Sequence, residues 1–598
     1  MVHISKMEDF LNIHKDQLVS SGIPKYLWRT LYIKLMNETF DASSAFDLLR
    51  IEDDSDGGED VIQSRLILQA TRHIKVTESE HIYLIDHAWT YRIQDARNQL
   101  LSHTGLRERL CDVFGLDTSQ DKHEIVDQLF NLMWKINNYY SIRNTVNVED
   151  SLPVWYIMDE VGTAVTHSDK PNCRIVPFVY INEKITYSLL FPITDIEEDD
   201  IICRDYAEGV QDSSRKEAIL LPWVHKSFED FSITPPVPSK EYFLSGHSEE
   251  SLPNLDNLQN KKNVSDVLKV YSQYSLVTSH LHSNRFQIVD NEDDTDIMWF
   301  TEHFKDFNKL SETPHKFINQ FPFEYVLTVK DLLCITCRRK TDQNWLPITY
   351  NLLTELPNFL SYYQKRESDG MENYWIVKPY NLARSLDMHI TDNIDYILRI
   401  SITGPKIVQK YITNPVLFYR PECEGTVKFD IRYVILLKSV EPLQCFVYKN
   451  FFLRFANKPF ELNEFEDYEK HFTVMNYTEN VQLKHMKCND FILNWKIQYP
   501  DNDWNKVEQS IFKMLKEVLE CAIIEKPPCG IAHSPQSRSL YAVDLMLEWT
   551  EDKEIQPKIL EVNFVPDCAR ACDYYPDFYD DIFGVLFLDR KCDTILPL

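Results

Sequence analysis

Thirteen glycines in 598 residues set the tightest limit on what this chain can build. That is about a third of the ~7% average usage. No Gly-x-Gly occurs anywhere, and the only adjacent pair is Gly57-Gly58. Loops that lay backbone amides against phosphates need glycine for positive φ or for close approach. The dinucleotide fingerprint, the Walker A loop and the kinase glycine loop are therefore excluded together. Gly370 and Gly404 are the only glycines between 247 and 424, so the stretch 371–403 has none.

Charge narrows the partners. Lys and Arg total 63 against 92 Asp and Glu, a formal net charge of -29. With no basic excess to neutralise phosphates, neither nucleic acid nor an anionic membrane is expected as a partner. No window approaches 18 uninterrupted apolar residues, and MVHISKMEDFLNIHK lacks an apolar signal core, so the cytoplasm is the expected location. Thirteen scattered Cys, an odd number, read as reduced thiols. Cys334 and Cys337 lie on the helical pattern VKDLLCITCRR without a second ligand pair nearby, and read as buried thiols rather than a zinc site. An acidic partner would be repelled at long range and would need a local basic face. Arg338, Arg339 and Lys340, or the cationic face of the central strands, are the candidates.

Periodicity divides the chain into a helical region over 1–75, a β-rich domain over 76–240, a polar, proline-punctuated linker over 241–263, and a domain of alternating strands and helices over 264–598. Helical spacing is clear in MEDFLNIHKDQLV, YLWRTLYIKLM, IQDARNQLLSHTGLRERLCDVF and HEIVDQLFNLMWKINNYY. Strand-like runs follow in PVWYIMDE, IVPFVYI and ITYSLLFPI. The fold class expected is a multidomain α+β protein.

The strongest chemical signal is YAVDLMLEWTEDKEIQPKILEVNF, read as an antiparallel hairpin about the turn Thr550–Lys553. With the turn centred near residue 552, Asp544 falls opposite Glu561, and Asn563 shares Glu561's face. Directly opposed side chains have Cβ atoms about 5 Å apart. Two carboxylates and an amide oxygen would then converge on an apolar sheet, which is costly without a cation between them. Such oxygen ligands suit Mg²⁺ or Mn²⁺. Upstream, Lys378 ends a strand in NYWIVKP, and Lys428, Asp430 and Arg432 alternate in VKFDIRYVILL, so period two puts all three on one face. Arg454 sits similarly in FFLRFA. Cations on strands beside a divalent-metal trio are what phosphoryl chemistry on a nucleotide requires.

From about 267 to 598 the chain resembles the tubulin–tyrosine ligase-like family, whose fold is of the ATP-grasp type. The matching landmarks, in the family's order, are NQFPFEYVLTVKDLL, WIVKP, IVQKYITNPVLF, KFDIRYVILL, FLRFA, HFTVMNY and ILEVNF. The resemblance implies that Asp544, Glu561 and Asn563 hold Mg²⁺ or Mn²⁺, and that Lys330, Lys378, Lys428 and Arg454 meet ATP phosphates or an acyl phosphate. It also implies that Gln409, Lys410 and Ile412 form the adenine hinge, that Asp430 lies with the nucleotide, and that Arg432 stands near the acceptor carboxylate as a catalytic residue with Glu561. Ligases of this family activate a carboxylate as an acyl phosphate and join an amino acid to tubulin's C-terminal tail. Two departures stand out. Ser385 and Asp387 occupy the glycine positions of the family's closing loop, where the Asp387 carboxylate would face phosphate charge. Val474-Met475 interrupts the family's His-Leu-Thr-Asn, separating Thr473 from Asn476.

In the β-rich block, Thr166-His167-Ser168-Asp169-Lys170-Pro171-Asn172 and Arg204-Asp205-Tyr206 resemble elements of SET methyltransferase domains, over about 80 to 240. Thr166 and Asp169 replace that family's Asn and Cys, so a SET-like scaffold is expected. The function expected is a nucleotide-binding pseudo-ligase that regulates tubulin tail tyrosination, detyrosination or glutamylation at microtubules. The alternatives are an active ATP-dependent ligase, and a SET-like domain acting on histone lysine, with some nuclear presence, or as an interaction platform.

Overall fold

The computed structural model describes residues 2–53, 63–141, 149–247, 249–258, 266–340, 343–380, 386–473 and 485–598. The chain forms two compact units. One comprises Met1–Phe231 with Asn393–Gly404, and the other Ser232–Asp392 with Pro405–Leu598. Among the described residues, no helix is long and apolar enough to cross a membrane.

In the first unit, helices Val2–Ser20 and Trp28–Met36 bury Phe10, Leu18 and Leu31 against strands Cys173–Tyr180 and Ile185–Pro192. Helical structure does not continue to residue 75. Phe46–Asp53 and Gln63–Ala70 pair as antiparallel strands, with Leu68 and Ala70 buried. Short apolar runs of this kind carry too few periods to separate strand from helix. Helices Ile93–Ser102, Thr104–Phe114 and Lys122–Leu132 follow the helical spacing.

Helix Ile394–Ser401 belongs to this unit although its neighbours in sequence do not. Tyr396 stacks on Trp134 with ring centroids 3.8 Å apart, and Tyr139 donates its hydroxyl to the Ile402 carbonyl at 2.7 Å. The buried Arg399 guanidinium donates to the Asn137 carbonyl at 2.5 Å. One stacked tyrosine and a buried cation on an eight-residue helix are enough to fix where it packs.

The second unit is built on a six-stranded antiparallel sheet. Its order is Ile555–Phe564, Ser539–Trp549, Phe429–Val440, Leu443–Tyr448 and Ile595–Pro597, with Phe452–Phe455 also paired to Phe429–Val440. One face of Phe429–Val440 (Phe429, Ile431, Tyr433, Ile435, Leu437) enters the main core, where helix Trp504–Ile524 buries Val507, Ile511, Met514, Leu515 and Val518. Each such side chain contributes roughly 1.5–3 kcal/mol on burial. The opposite face changes character along its length. Val434 and Leu436 pack in a second core with helix Phe578–Leu588, whereas Lys428, Asp430 and Arg432 line an open cleft. A second, four-stranded sheet has the order Thr349–Asn351, Lys406–Lys410, Trp375–Pro379, His389–Thr391.

The described residues of the stretch read as a linker belong to the second unit and are anchored in it. Phe243 is fully buried, Tyr242 donates to Asp331 at 2.6 Å, and the buried Glu250 carboxylate accepts from the Phe323 amide at 2.7 Å. Pro and Ser mark an irregular backbone, but irregular backbone can still be anchored by a few buried side chains.

Candidate functional site

The cleft holds about 730 Å³, and its walls include all twelve residues singled out from sequence: Lys330, Lys378, Gln409, Lys410, Ile412, Lys428, Asp430, Arg432, Arg454, Asp544, Glu561 and Asn563. Most sit on strands of two sheets, Lys330 opens helix Lys330–Arg338, and Ile412 and Lys428 lie just outside strand ends. Ile376, Met388, Met546 and Leu560 supply apolar wall.

At one end stand two buried lysines. Lys378 donates to the Gln409 side-chain carbonyl at 2.8 Å, and Lys428 donates to the Tyr411 hydroxyl at 2.8 Å while lying 4.2 Å from the Tyr411 ring centroid. Neither makes an ion pair among the described residues. Burial brings the Lys378 ammonium down to about 8, with Glu561 opposing and Lys330 assisting, and that of Lys428 to about 7, with Lys378 assisting. Two desolvated cations facing a cleft without carboxylate partners are what an anion such as a polyphosphate relieves. Gln409 is held on both sides. Its amide donates to Thr349 at 2.9 Å while its carbonyl holds Lys378, so the side chain orients the lysine. Lys410 donates to the Glu372 carbonyl at 2.8 Å.

The hairpin forms with Asp544 directly opposite Glu561. That register depends on a bulge. From Leu545↔Ile559 to Trp549↔Ile555 the strands pair about residue 552, which by itself would set Asp544 against Leu560. The shift between Asp544 and Leu545 inserts Leu560 and brings Glu561 across. Leu560 and Glu561 then both face the cleft.

The cations that neutralise these carboxylates come from the chain itself. Arg432 forks onto Asp544 at 2.7 and 2.8 Å, and Arg454 reaches the same carboxylate at 2.8 Å and Asp430 at 2.8 Å. Thr473 donates to Asp430. Lys330 pairs with Glu561 at 3.1 Å, and the Asn563 amide donates to Asp544 at 3.3 Å and to Glu561 at 3.2 Å. Burial would raise the Asp544 pKa, but the two guanidiniums reverse this and hold the carboxyl far below the usual range. Two carboxylates and an amide fit Mg²⁺ or Mn²⁺ in donor type. Their charge is nonetheless already balanced in this conformation. Arg432, expected near an acceptor carboxylate, is committed to Asp544.

Asp387, its carboxylate expected to face phosphate charge, is paired within the chain. It adopts φ 53°, and its carboxylate accepts from Lys406 at 2.9 Å and contacts His389 at 3.0 Å. Burial opposes its ionisation, and His389 and Lys406 overcome that to hold the carboxyl at about 2. Asp tolerates the left-handed region better than most residues, so a glycine position is kept in conformation while its side chain turns to an internal cation. Ser385, Val474, Met475 and Asn476 lie outside the described residues. The basic run expected to meet an acidic partner is consumed internally. Arg338 pairs with Glu355, Arg339 with Glu525 at 3.9 Å and Lys340 with Glu520 at 3.2 Å. Cys334 and Cys337 are buried on their helix, and burial raises both thiols, with Cys521 the larger influence at Cys337. Sequence reasoning missed Tyr411, His485 and Arg570, all on the cleft wall. No alternation or spacing marks any of the three.

In the first unit, Thr166–His167 pairs in parallel with Cys203–Arg204. Lys216 bridges Asp169 at 3.1 Å and Asp205 at 3.0 Å, Asn172 accepts from the Cys203 amide at 2.9 Å, and Tyr206 donates to the Val165 carbonyl at 2.7 Å. These motif residues hold two crossing segments together.

Comparison with known proteins agrees with both halves. Residues 308–597 match the tubulin-tyrosine ligase family and residues 55–227 the tubulin tyrosine ligase SET-like domain. The chain is 41% identical to tubulin–tyrosine ligase-like protein 12 of Mus musculus over 98% of this chain and 95% of the relative. It is 35% identical to the Caenorhabditis elegans protein of the same name over 97% of each. The tubulin polyglutamylase TTLL5 of Mus musculus is 26% identical over 50% of this chain and 23% of its own length. The chain therefore belongs to the tubulin–tyrosine ligase-like family, with a SET-like domain ahead of its ligase-type domain.

Proposed function

We propose that this protein is a nucleotide-binding pseudo-ligase of the ATP-grasp type that acts at cytoplasmic microtubules and modulates the tyrosination, detyrosination or glutamylation of tubulin C-terminal tails. One observation carries the reading. The phosphate end of the cleft keeps two desolvated lysines without carboxylate partners, whereas Asp544 and Arg432, the metal and acceptor residues of the family, are bound to each other. Lys378 and Lys428 would hold phosphate oxygens, Gln409 keeps the Lys378 ammonium in place, and Ile376, Ile412, Met388 and Leu560 offer the apolar surface an adenine ring requires. Asp544, Glu561 and Asn563 would hold Mg²⁺, which when bound would neutralise phosphate charge. Asp387 at a glycine position, turned to Lys406, supports binding without the loop closure that ligation needs. Tubulin as partner is supported by relatives such as the tubulin polyglutamylase TTLL5.

An active ATP-dependent ligase is the second reading, favoured by the convergence of the whole expected residue set on one cleft. The two are separated by measuring ATP binding calorimetrically and the incorporation of labelled tyrosine, glutamate or glycine into tubulin on one preparation. The pseudo-ligase reading expects ATP binding with incorporation no higher than in Glu561→Gln. Incorporation well above that variant overturns it, and a native protein that binds no ATP removes both readings.

A further inference from the structure

We propose that Arg570 forms a second anion subsite in the same cleft, separate from the lysine end, and that it takes a carboxylate of an acidic peptide. Arg570 stands on the short helix Ala569–Tyr574, which follows the strand carrying Glu561 and Asn563, and its side chain lines the cleft. Its guanidinium donates to the Leu453 backbone carbonyl at 3.0 Å and makes no ion pair among the described residues.

The two arginines beside it are spent. Arg432 is forked onto Asp544, and Arg454 is shared between Asp430 and Asp544. Two guanidiniums against two carboxylates leave that group neutral, and Asp567, which also lines the cleft, makes no ion pair with Arg570, so among the described residues the Arg570 charge is not matched by a contacting carboxylate. Burial is the largest influence on its proton and weakens the hold on it, with Arg454 and Arg432 acting in the same sense and Tyr574 and Asp430 opposing. Lys487, 5.2 Å from the Tyr574 ring centroid, adds one further cation beside this helix, while burial and Arg570 itself push the His485 imidazole on the cleft wall toward its neutral form.

Separation from the nucleotide end follows from the strand. Lys428 and Arg432 are four residues apart on one extended segment, about 13 Å. One phosphate or carboxylate group does not reach both ends. A guanidinium fork matches a carboxylate in bidentate geometry. A chain of net charge -29 repels acidic peptides at a distance, and Arg338, Arg339 and Lys340 are already paired, so a local unspent cation is where such a peptide would be held. The subsite stands on this chain's own charges. Only the choice of an acidic peptide rests on the proposed action on tubulin tails.

The test uses the full chain, a fluorescein-labelled oligoglutamate peptide read by anisotropy at low salt, and ATP binding measured in parallel. Arg570→Ala should weaken the peptide by about tenfold or more and Arg570→Lys by less, since the charge remains without the fork. ATP affinity should stay within about twofold in both variants. Arg570→Lys keeps the assay decisive should the alanine variant melt early. Peptide affinity unchanged in both variants, or an oligoglutamine peptide binding as well as oligoglutamate, overturns the proposal. If the native protein binds no ATP yet holds the peptide through Arg570, the nucleotide reading fails and this one stands. If ATP binds and the peptide ignores Arg570, this one fails alone.

Discussion

Lys378 and Lys428 are the residues whose chemistry is most exposed to experiment. Their ammonium groups lie at about 8 and about 7 because burial penalises the charged form. An anion restores the charge, so its binding raises both pKa values. The sign follows by linkage. Below pH 7 both lysines are already protonated in the free protein, and ATP binds without taking up protons. Between pH 7 and 9 binding must draw protons from solvent, and affinity falls by up to about tenfold per pH unit for each proton taken up. ATP titrations at pH 6.5 and 8.5 in buffers of different ionisation enthalpy check this. Affinity that is flat or rises over that range would show that the lysines are not the phosphate contacts. Asp387 invites a second test. Replacing it by Gly restores the family's residue and relieves the positive φ, yet leaves Lys406, 2% exposed, without its carboxylate. Removing one partner of a buried pair costs about 3–5 kcal/mol. Asp387→Gly is thus expected to lower the melting temperature and to leave incorporation into tubulin absent. A stable variant that gains ligation would show that Asp387 is what switches the activity off.

Among elements, the hairpin and the helix Ile394–Ser401 decide how the site is held. The helix depends on Arg399, which is 5% exposed, brought down to about 10 chiefly by burial, and bonded to the Asn137 carbonyl. Arg399→Ala removes a charge-assisted bond and leaves a hole beside Trp223, over which the guanidinium sits at 5.1 Å. A loss of about 2–4 kcal/mol is expected, seen as faster amide exchange in strand Asn137–Tyr140. Unchanged exchange there would mean that the aromatic stack of Tyr396 on Trp134 holds the helix unaided.

The elements also show what could be read in advance. Period-two alternation placed Lys428, Asp430 and Arg432 on one face, and the paired apolar runs located the hairpin, because both are local patterns. The Leu560 bulge was not legible, since nothing in KILEVN distinguishes an inserted residue from a paired one. The strands near the turn do pair about residue 552, a symmetry that alone would set Asp544 against Leu560, so the opposition of Asp544 and Glu561 comes from the bulge. Nor was the commitment of Arg432 and Arg454 to Asp544 legible, because it joins residues 112 and 90 positions apart. Arg570 follows the last recognisable strand on a six-residue helix with no period to read.

On the scale of the whole molecule, the division into units does not follow the order of the chain. Strand His389–Thr391 and strand Lys406–Lys410 belong to the second unit, while the helix between them belongs to the first. A ligand that binds only the second unit stabilises it by mass action, by ~2.7 kcal/mol at a hundredfold excess over Kd. That stabilisation should appear where the unit's own hydrogen bonds are, and stop at its boundary. Hydrogen exchange on the full chain with and without ATP therefore has a sharp expectation. Amides of Lys406–Lys410, whose Gln409 orients a phosphate lysine, should slow on ATP addition. Amides of Ile394–Ser401, only a few positions earlier, should keep the rate of the first unit, to which Trp134 and Asn137 tie them. If the helix gains protection in step with the strand, the two units open as one cooperative body and nucleotide occupancy is felt in the SET-like unit as well.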